Sequence, residues 1–340
     1  MAGRGHAVTI AAPAESRIFP EARHRGLNAV DLPIARKRPG GIASLYRWLK
    51  SNRVDVINTH SSTDSWLAAL ACAMPMFREA PPIVRTRHIS ASVPDNWATR
   101  WLYVRATRHV VTTGEALRRQ LIEANGFPAD RITSVPTGID TRRFAPGDRA
   151  AARRALGLPP AATLIGIVAT LRSWKGHRYL LDAFAGLARE HCILVIVGDG
   201  PQRANIESQI AQLNIGDRVR RAGNQPDVLP WLQALDLFAL PSYANEGVPQ
   251  ALVQAMLCAL PCVTTDAGSI GEAAVNGETA LVVAPQDAEA LGQALRRLID
   301  TPALRDRLGA AARVHCESKF SFSGMLDRME VIFRNVVAAS

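Results

Sequence analysis

A carboxylate and a Gly-Val-Pro turn stand together in the stretch SYANEGVPQALVQAM, residues 242–256. Glu246 comes directly before the turn, and the apolar pattern that follows predicts a helix over 249–259. Pro249 fits the first helical position, where its missing N–H costs nothing. The free N–H groups and positive dipole end of such a helix attract anions, and Gly247 lets a ligand approach the backbone closely. The stretch therefore predicts an anion site beside an acid that can accept hydrogen bonds from hydroxyl groups.

An amide, Gln254, lies five residues beyond Pro249 in the same predicted helix. At about 1.5 Å per residue it stands about 7.5 Å further along the axis, where it can contact a second part of the same ligand. A solvent-facing helix residue is the alternative interpretation of Gln254. For Glu246 the alternative is an acid that only stabilises the helix dipole.

Two cations three residues apart, Arg172 and Lys175, stand in the segment ATLRSWKGH after a predicted strand. The Arg guanidinium can form two parallel hydrogen bonds and Lys supplies a point charge, so together they can bind a diphosphate. An exposed basic loop without a ligand is the alternative interpretation. A second strand ends in Gly198, within LVIVGDGP. That turn lacks the third glycine of a dinucleotide fingerprint, which disfavours hydride transfer and indicates a tight turn from strand to helix.

Short apolar strands alternate with helical patterns along the chain, which indicates an α/β fold of βαβ units around parallel sheets. The predicted strands are 7–12, 54–60, 82–88, 108–114, 132–138, 163–171, 192–198, 218–223, 235–242, 262–268 and 279–285. The predicted helices are 41–51, 64–73, 97–106, 115–125, 176–190, 201–213, 226–234, 249–259, 287–299, 302–317 and 320–338. Gly and Pro residues interrupt both the helical and the strand periodicity at 138–148, which we interpret as a linker.

Two doubly wound domains follow from this order of elements. Residues 1–145 form an N-terminal domain, residues 146–318 a complete C-terminal domain, and residues 319–340 a helix predicted to pack back on the first domain. Residues 3–10, GRGHAVTI, resemble the end of a helix that runs directly into a second strand. The first domain is therefore predicted to lack its first strand.

The charge of the 340-residue chain is concentrated in its first half. Residues 1–150 hold 22 Lys and Arg against 12 Asp and Glu, whereas residues 151–340 hold 18 of each. The positive electrostatic field of these residues favours an anionic partner such as a phosphorylated substrate or an anionic membrane surface. The alternative explanation of the basic excess is an Arg-rich proteome. Nucleic acid is disfavoured because no basic run is interleaved with aromatic residues.

The remaining composition predicts a cytoplasmic protein without a cofactor. The five cysteines form no CxxC pair, and neither a bilayer-spanning apolar run nor a secretory signal is present. We find no DxD-like metal motif in a convincing place, so no metal ion is expected.

These motifs together resemble the retaining nucleotide-sugar glycosyltransferases of family four, the group 1 glycosyltransferases with the GT-B fold. VPTGIDTRRFAP is similar to the family's linker, LRSWKGHRYLLDAF to its phosphate loop and VGDGP to its next turn. ALPSYANEGVPQALVQAMLCALPCVTTDAGSIGE is similar to its donor-site run. The resemblance covers nearly the whole chain and implies two Rossmann-like domains facing a cleft.

By this resemblance Arg172 and Lys175 bind the diphosphate of the donor and stabilise the leaving nucleotide. Glu246 holds hydroxyls of the donor sugar, close to the backbone of 247–249, that is Gly247, Val248 and Pro249. The family carries a second Glu on the ribose where this chain has Gln254, which keeps the contact and weakens it. Gly198 belongs to the donor site, and Thr170 stands where many members have an Arg.

Three polar residues follow strands of the first domain. His88 ends the strand of RTRHIS, where the family often has a His near the reacting centre, and we predict it to be the polar group closest to the chemistry. A structural histidine is the alternative. His60 and Ser61, in NTHSSTD, are weaker candidates for acceptor contact. All three fit the rule that ligands bind beyond the carboxyl ends of parallel strands.

The resemblance implies retaining transfer of a sugar to a glycan or glycolipid, in cell-surface polysaccharide or lipopolysaccharide synthesis. The basic first domain motivates peripheral attachment to the inner face of the plasma membrane. One alternative is a nucleotide-sugar epimerase or hydrolase of the same fold, although no added carboxylate pair supports it. The other is a nucleotide-sugar-binding protein without turnover.

Overall fold

The computed structural model describes residues 1–75, 77, 79–88, 92–187, 189–244 and 246–339. The chain folds as two compact units, Met1–Val135 with Met325–Ser340, and Pro136–Gly324. Among the described residues, no helix is both long enough and apolar enough to cross a membrane.

The first unit holds two separate parallel sheets. Its strands are β1 (Thr9–Ala12), β2 (Asn28–Asp31), β3 (Ile57–Thr59), β4 (Ile83–Arg87), β5 (His109–Thr112) and β6 (Ile132–Ser134). Among the described residues, β1 and β2 pair only with each other, whereas the other four strands form a sheet in the order β3-β4-β5-β6. Its helices are α1 (Ile18–His24), α2 (Pro39–Ser51), α3 (Ser62–Cys72), α4 (Trp97–Arg100) and α5 (Glu115–Glu123). Within the described residues, no strand joins the two sheets.

The second unit is a doubly wound domain with a single parallel sheet. Its strands are β7 (Thr163–Val168), β8 (Cys192–Val197), β9 (Val219–Gly223), β10 (Leu237–Leu240), β11 (Cys262–Thr265) and β12 (Leu281–Val283), in the order β12-β11-β10-β7-β8-β9. Its helices are α6 (Arg149–Ala155), α7 (His177–Ala185), α8 (Arg203–Gln212), α9 (Leu229–Ala234), α10 (Gln250–Leu257), α11 (Ala288–Asp300) and α12 (Pro302–Lys319). The order reverses between β7 and β10, which is where ligands bind in such sheets.

The core of the second unit explains why its strands could be predicted. Every residue of β8 and β10 is buried, and the largest fully buried side chains include Phe184 of α7 and Phe238 of β10. Strands covered by helices on both faces are continuous apolar runs, so their sequence signal is strong.

The predicted strands and most predicted helices are confirmed, with three differences. Prediction missed β2, α1 and α6, which are short or contain a proline, as at Pro20. The helix predicted over 97–106 is α4 followed by a π-helical segment, Trp101–Ala106. Helix α10 begins at Gln250 rather than at Pro249, because Pro249 is the N-cap residue, with φ −70° and ψ 121°.

The linker belongs to the second unit, so the first unit ends earlier than the predicted boundary at residue 145. Ile139 and Phe144 are buried in the core of the second unit. The N–H of Ile139 donates to the Phe320 carbonyl at 2.8 Å, and the N–H of Phe322 donates to the Ile139 carbonyl at 2.9 Å. These contacts also carry the second unit to Gly324, beyond the predicted residue 318.

The last helix, α13 (Phe322–Ala338), supplies one face of the first unit from Met325 onward. Its Met329, Ile332 and Val336 form one apolar cluster with Val84, Val111 and Val135. At its polar side Arg4 forms an ion pair with Asp327 at 2.7 Å.

Candidate functional site

Lys175 and Glu246 form an ion pair at the point where the strand order of the second unit reverses. The Lys175 Nζ atom lies 2.6 Å from Oε1 of Glu246, and the side chains are 19% and 6% exposed. Lys175 ends a 3₁₀ turn after β7, and Glu246 lies in the loop between β10 and α10. The structure therefore brings together two predicted donor-site residues that lie 71 positions apart in the chain.

Backbone contacts from two other loops hold Glu246 in place. The N–H of Tyr243 donates to the Trp174 carbonyl at 2.8 Å, which joins the Glu246 loop to the Lys175 loop. From the loop after β11, the N–H of Ser269 donates to the Glu246 carbonyl at 3.2 Å. Gly268 has φ +62°, and a Cβ there would lie 2.1 Å from the Glu246 carbonyl oxygen. This close approach requires glycine, so three neighbouring strand ends position one carboxylate.

The start of α10 supplies free backbone N–H groups next to this ion pair. Because Pro249 is the N-cap, the first helical N–H groups are those of Gln250, Ala251 and Leu252, one residue later than predicted. Val248 and Pro249 are buried, whereas Gly247 is partly exposed. The free N–H groups of this N-terminus thus differ slightly from the predicted set, and anion binding there stays a prediction.

Arg172 and Gln254 are near the pair in sequence but are not bonded to it. The Arg172 guanidinium carbon lies 5.6 Å from the Trp174 ring centroid, and the side chain is exposed. Within the described part of the chain Arg172 forms no ion pair, so its guanidinium is available to a ligand. Gln254 is half-buried on α10, and its amide makes no hydrogen bond to a described residue. Both roles stay predictions.

Gly198 has a structural reason to be glycine. Its φ is +138°, and a Cβ would lie 2.0 Å from the Ala169 carbonyl oxygen. The turn after β8 thus packs against the start of the Lys175 loop, and the Leu171 N–H donates to the Asp199 carbonyl at 3.1 Å. Contact between Gly198 and a donor stays a prediction.

His177 beside this loop was not identified from the sequence. Its side chain is buried, and within the described residues neither ring nitrogen has a hydrogen-bond partner. Burial, together with the charge of Lys175, lowers the pKa of His177 to about 4, so the ring is neutral at neutral pH. A cavity of about 330 Å³ lies here, lined by Arg172, His177, Tyr179 and Tyr243 among others. Burial was the missing signal, since the sequence shows only a His after Lys-Gly.

In the first unit His60 and His88 meet just beyond the ends of β3 and β4. Nδ1 of His60 lies 3.0 Å from Nε2 of His88. Desolvation lowers the pKa of both imidazoles, although each side chain keeps an exposed edge, and the charge of Asp64 partly opposes the shift. Both rings are therefore neutral at neutral pH. The sequence had proposed separate roles for them, and the structure shows a pair.

Ser61 serves the fold locally. Its hydroxyl is the N-cap of α3 and accepts hydrogen bonds from the N–H groups of Thr63 and Asp64, both at 3.2 Å. The Asp64 carboxylate in turn accepts from the backbone N–H of Ser61 at 2.8 Å. This capping box accounts for the residue type, and acceptor contact by Ser61 stays a prediction.

A cavity of the first unit lies at the opposite edge of its sheet. It measures about 670 Å³ and is lined by Arg108, His109, Arg131 and Thr133 together with residues of α13. These residues stand at the starts of β5 and β6, whereas ligands of parallel sheets bind beyond the carboxyl ends. This cavity therefore lies away from the predicted site, and the roles of His60 and His88 stay predictions.

Comparison with known proteins identifies the family. The family described as "Glycosyl transferases group 1" matches residues 148–315, and "Glycosyltransferase Family 4" matches residues 1–143. A D-inositol 3-phosphate glycosyltransferase of Rhodococcus opacus is 30% identical over 301 residues, covering 82% of this chain and 67% of that protein. The chain belongs to the group 1 glycosyltransferases of family four.

Other relatives of this group 1 glycosyltransferase carry the same name. The D-inositol 3-phosphate glycosyltransferase of Saccharomonospora viridis is 28% identical over 84% of this chain and 71% of its own length. That of Nocardia farcinica is 30% identical over 77% of this chain, which spans only 62% of the relative.

Solved structures agree on the GT-B fold of the glycosyltransferase. A glycosyltransferase from Rickettsia africae matches with a TM-score of 0.89 at 20% identity, covering 100% of this chain and 92% of that one. HepE of Anabaena, in complex with UDP-glucose, matches with a TM-score of 0.86 at 19% identity, covering 96% and 91%. The fold predicted from the motifs is therefore confirmed.

Proposed function

We propose that this glycosyltransferase moves a sugar, with retention of anomeric configuration, from a nucleotide diphospho-sugar to a glycan or glycolipid acceptor. The observation that carries the proposal is the Lys175–Glu246 pair at the switch point of the second sheet. Lys175 and the start of α10 offer positive charge to phosphates, while the Glu246 carboxylate can accept hydrogen bonds from sugar hydroxyls. A nucleotide diphospho-sugar combines these two chemistries in one molecule.

The same groups suit the transition state of the transfer. The bond from sugar C1 to the phosphate oxygen breaks while the acceptor oxygen bonds to C1 from the same face. The acceptor hydroxyl proton passes to the leaving phosphate oxygen, so no carboxylate nucleophile is required. Negative charge accumulates on the leaving diphosphate, where preorganised cations give the largest stabilisation. Lys175 and the exposed Arg172 are the side chains that we assign to this charge.

Two observations support the choice of donor and acceptor. HepE, which shares the fold, was crystallised with UDP-glucose and with UDP, which supports a nucleotide-sugar donor. The excess of 22 basic over 12 acidic residues in residues 1–150 supports an anionic acceptor. We therefore propose a glycolipid of the cell surface, such as a lipopolysaccharide precursor, reached by an enzyme that attaches to the inner face of the plasma membrane.

A second acceptor class is favoured by the relatives. Their printed name, D-inositol 3-phosphate glycosyltransferase, specifies a small phosphorylated polyol. Such an acceptor is also anionic and would suit the same basic unit without a membrane.

A matrix of donors and acceptors tests the proposal. The protein is incubated with UDP-, GDP- and ADP-sugars, each alone, with inositol 3-phosphate, or with glycolipid in vesicles, while nucleotide release and sugar products are measured. Release that requires an acceptor supports transfer, and the acceptor decides between the two classes. Release without acceptor indicates a hydrolase, an altered free sugar nucleotide indicates an epimerase, and binding without any product indicates a binding protein.

Replacing Gln254 with Glu is expected to tighten donor binding about fivefold. A carboxylate forms charge-assisted bonds to a ribose diol, which exceed a neutral bond by about 1 kcal/mol. Titration calorimetry with the preferred nucleotide sugar measures the change. Gln212→Glu, on the exposed end of α8, is the matched control and is expected to leave the affinity unchanged. Loss of donor binding in Gln254→Glu alone would show that Gln254 does not face the ribose.

Charge reversal at Arg36 and Arg38 is expected to weaken binding to anionic vesicles at least thirtyfold. Both side chains are exposed in the loop before α2, and each basic residue near such a surface contributes about 1 kcal/mol. Co-sedimentation with phosphatidylserine vesicles measures the effect. The control is Arg220→Glu with Arg297→Glu, which removes the same charge from exposed positions of the second unit. Equal binding by both double variants would contradict a membrane-facing loop at Arg36 and Arg38.

A further inference from the structure

Four polar side chains form a ladder on one face of β3 and β4. Asn58 of β3 pairs in register with Val84 of β4, and side chains two residues apart share a face of a strand. The Thr86 hydroxyl donates to Oδ1 of Asn58 at 2.9 Å. Nδ2 of Asn58 lies 3.2 Å from Nε2 of His60, whose Nδ1 lies 3.0 Å from Nε2 of His88. The ladder is therefore a single chain of hydrogen bonds that runs from Thr86 to His88.

The contact between the two imidazoles is a hydrogen bond in the ring plane. The rings are inclined by only 16°, with centroids 5.3 Å apart, a spacing that would also suit loose stacking. However, the distance between the two ring centroids equals the sum of three lengths: the 3.0 Å between the nitrogens and the distance from each nitrogen to the centre of its own ring. This sum is reached only when both nitrogens lie on the line between the centroids. An N–H on either nitrogen thus points straight at the other lone pair, which is the preferred geometry.

The side-chain amide of Asn58 sets the donor-to-acceptor direction of these hydrogen bonds. Its oxygen accepts from Thr86, so its NH₂ group faces His60 Nε2, which must be an unprotonated acceptor. A neutral imidazole carries one N–H, so the proton of His60 is on Nδ1 and is donated to Nε2 of His88. The proton of His88 is then on its Nδ1, and within the described residues that nitrogen has no hydrogen-bond partner.

The Asp64 carboxylate does not accept the ring protons of His60 and His88. Asp64 accepts backbone N–H groups through both oxygens, from Ser61 at 2.8 Å and from His60 at 2.9 Å. Asp64 therefore helps to hold the His60 backbone while leaving the rings to each other. This arrangement differs from a His–carboxylate pair, in which the acid would take the ring N–H.

We propose that Asn58 and His60 are positioning residues that fix His88 as its neutral Nδ1–H tautomer, so that His88 donates a hydrogen bond to the substrate and does not act as a general base. The tautomer is a property of the free protein, whereas its role in transfer rests on the proposed function. A fixed N–H suits a hydroxyl or phosphate oxygen that gains negative charge during the reaction.

Nuclear magnetic resonance of protein labelled with ¹⁵N in the histidine rings tests the tautomers directly. In the wild type near pH 9, well above the ordinary imidazole pKa of about 6.5, His88 and His60 are both expected to carry the proton on Nδ1. The signals are assigned by their loss in His88→Gln and His60→Gln. Protonation of His88 at Nε2 in the wild type would overturn the proposal, because it would mean that the Asn58 amide faces the other way.

Asn58→Asp is expected to reverse the direction of the hydrogen bonds between Asn58, His60 and His88, with almost no change in side-chain shape. The new carboxylate accepts from His60 Nε2, so both histidines are expected to move their protons to Nε2. If transfer is the function, kcat is expected to fall about tenfold, the contribution of one hydrogen bond made in the transition state, with donor affinity unchanged.

Asn28→Asp is the matched control, since Asn28 of β2 also bonds a threonine but no histidine. It is expected to leave both tautomers and kcat unchanged. Unchanged tautomers in Asn58→Asp would refute the role of Asn58. Correct tautomers without any transfer would refute only the proposed function. If Asn58→Asp does not fold, the wild-type spectrum alone decides.

Discussion

Lys175→Met is expected to lower kcat by about a hundredfold or more and to destabilise the second unit by about 3 kcal/mol. Removing one preorganised charge from the leaving group costs about two to three orders of magnitude in rate. The stability cost has a separate cause. The Glu246 side chain is only 6% exposed, so the variant leaves a buried carboxylate without its cation, which is strongly destabilising.

The variant Glu246→Gln separates these two effects. It keeps the shape and removes the charge, leaving Lys175, which at 19% exposure is closer to water and less costly to leave unpaired. The double variant Lys175→Met with Glu246→Gln removes both charges and is expected to regain most of the lost stability without regaining activity. Urea unfolding and steady-state kinetics of the four proteins form the cycle. Additive stability losses would show that the pair is not coupled, and an active double variant would remove it from the donor site.

Arg153→Met is expected to cost about 4 kcal/mol of unfolding free energy, the largest stability effect that we predict. Arg153 of α6 is buried, and its Nη2 lies 2.6 Å from Oδ2 of Asp236, just before β10. Its other nitrogens donate to the carbonyls of Ala234 at 2.9 Å, Pro160 at 2.8 Å and Ala162 at 3.1 Å. The substitution removes the donor from three backbone carbonyls, of which that of Ala234 is buried, and from one oxygen of a carboxylate whose side chain is only 12% exposed. Donor affinity is expected to persist while the unit is folded, because these groups lie before the strands rather than after them.

Arg149→Met provides a matched control on the same carboxylate. Arg149 also bonds Asp236, but its side chain is 58% exposed. An exposed ion pair contributes about 0 to 1 kcal/mol, so this variant is expected to unfold almost like the wild type. Urea titrations followed by circular dichroism compare the two variants. Equal losses would mean that the charge on Asp236, rather than the burial of Arg153, stabilises this corner.

Backbone contacts hold Glu246 and the Lys175 loop in a fixed arrangement. Gly268 and Ser269 fix the Glu246 backbone, and the Tyr243–Trp174 backbone bond fixes its distance from the Lys175 loop. Under the proposed function, we expect the ion pair to open or to share its atoms when a nucleotide sugar binds. We therefore expect the affinity for the nucleotide sugar to change with substitutions at either Lys175 or Glu246.

The sequence by itself determined the elements of the second unit and the residue types of its site. Strands such as β8 are continuous apolar runs between glycine turns, and these signals depend only on neighbouring residues. The turn before α10 and the basic loop after β7 were equally local, so Glu246 and Lys175 were identified from spacing and family resemblance. The elements that prediction missed, such as α1 and β2, are short and carry weak local signals.

Only the tertiary structure decided which of these residues meet. The pairing of Lys175 with Glu246 depends on the order of strands in the sheet, which no local pattern encodes. The bond between His60 and His88 depends on the register of β3 against β4 and on side-chain rotamers. The contact of Gly268 with Glu246 joins a third strand end to the site. Periodicity is a property of adjacent residues, whereas strand order, register and burial arise from contacts between distant ones.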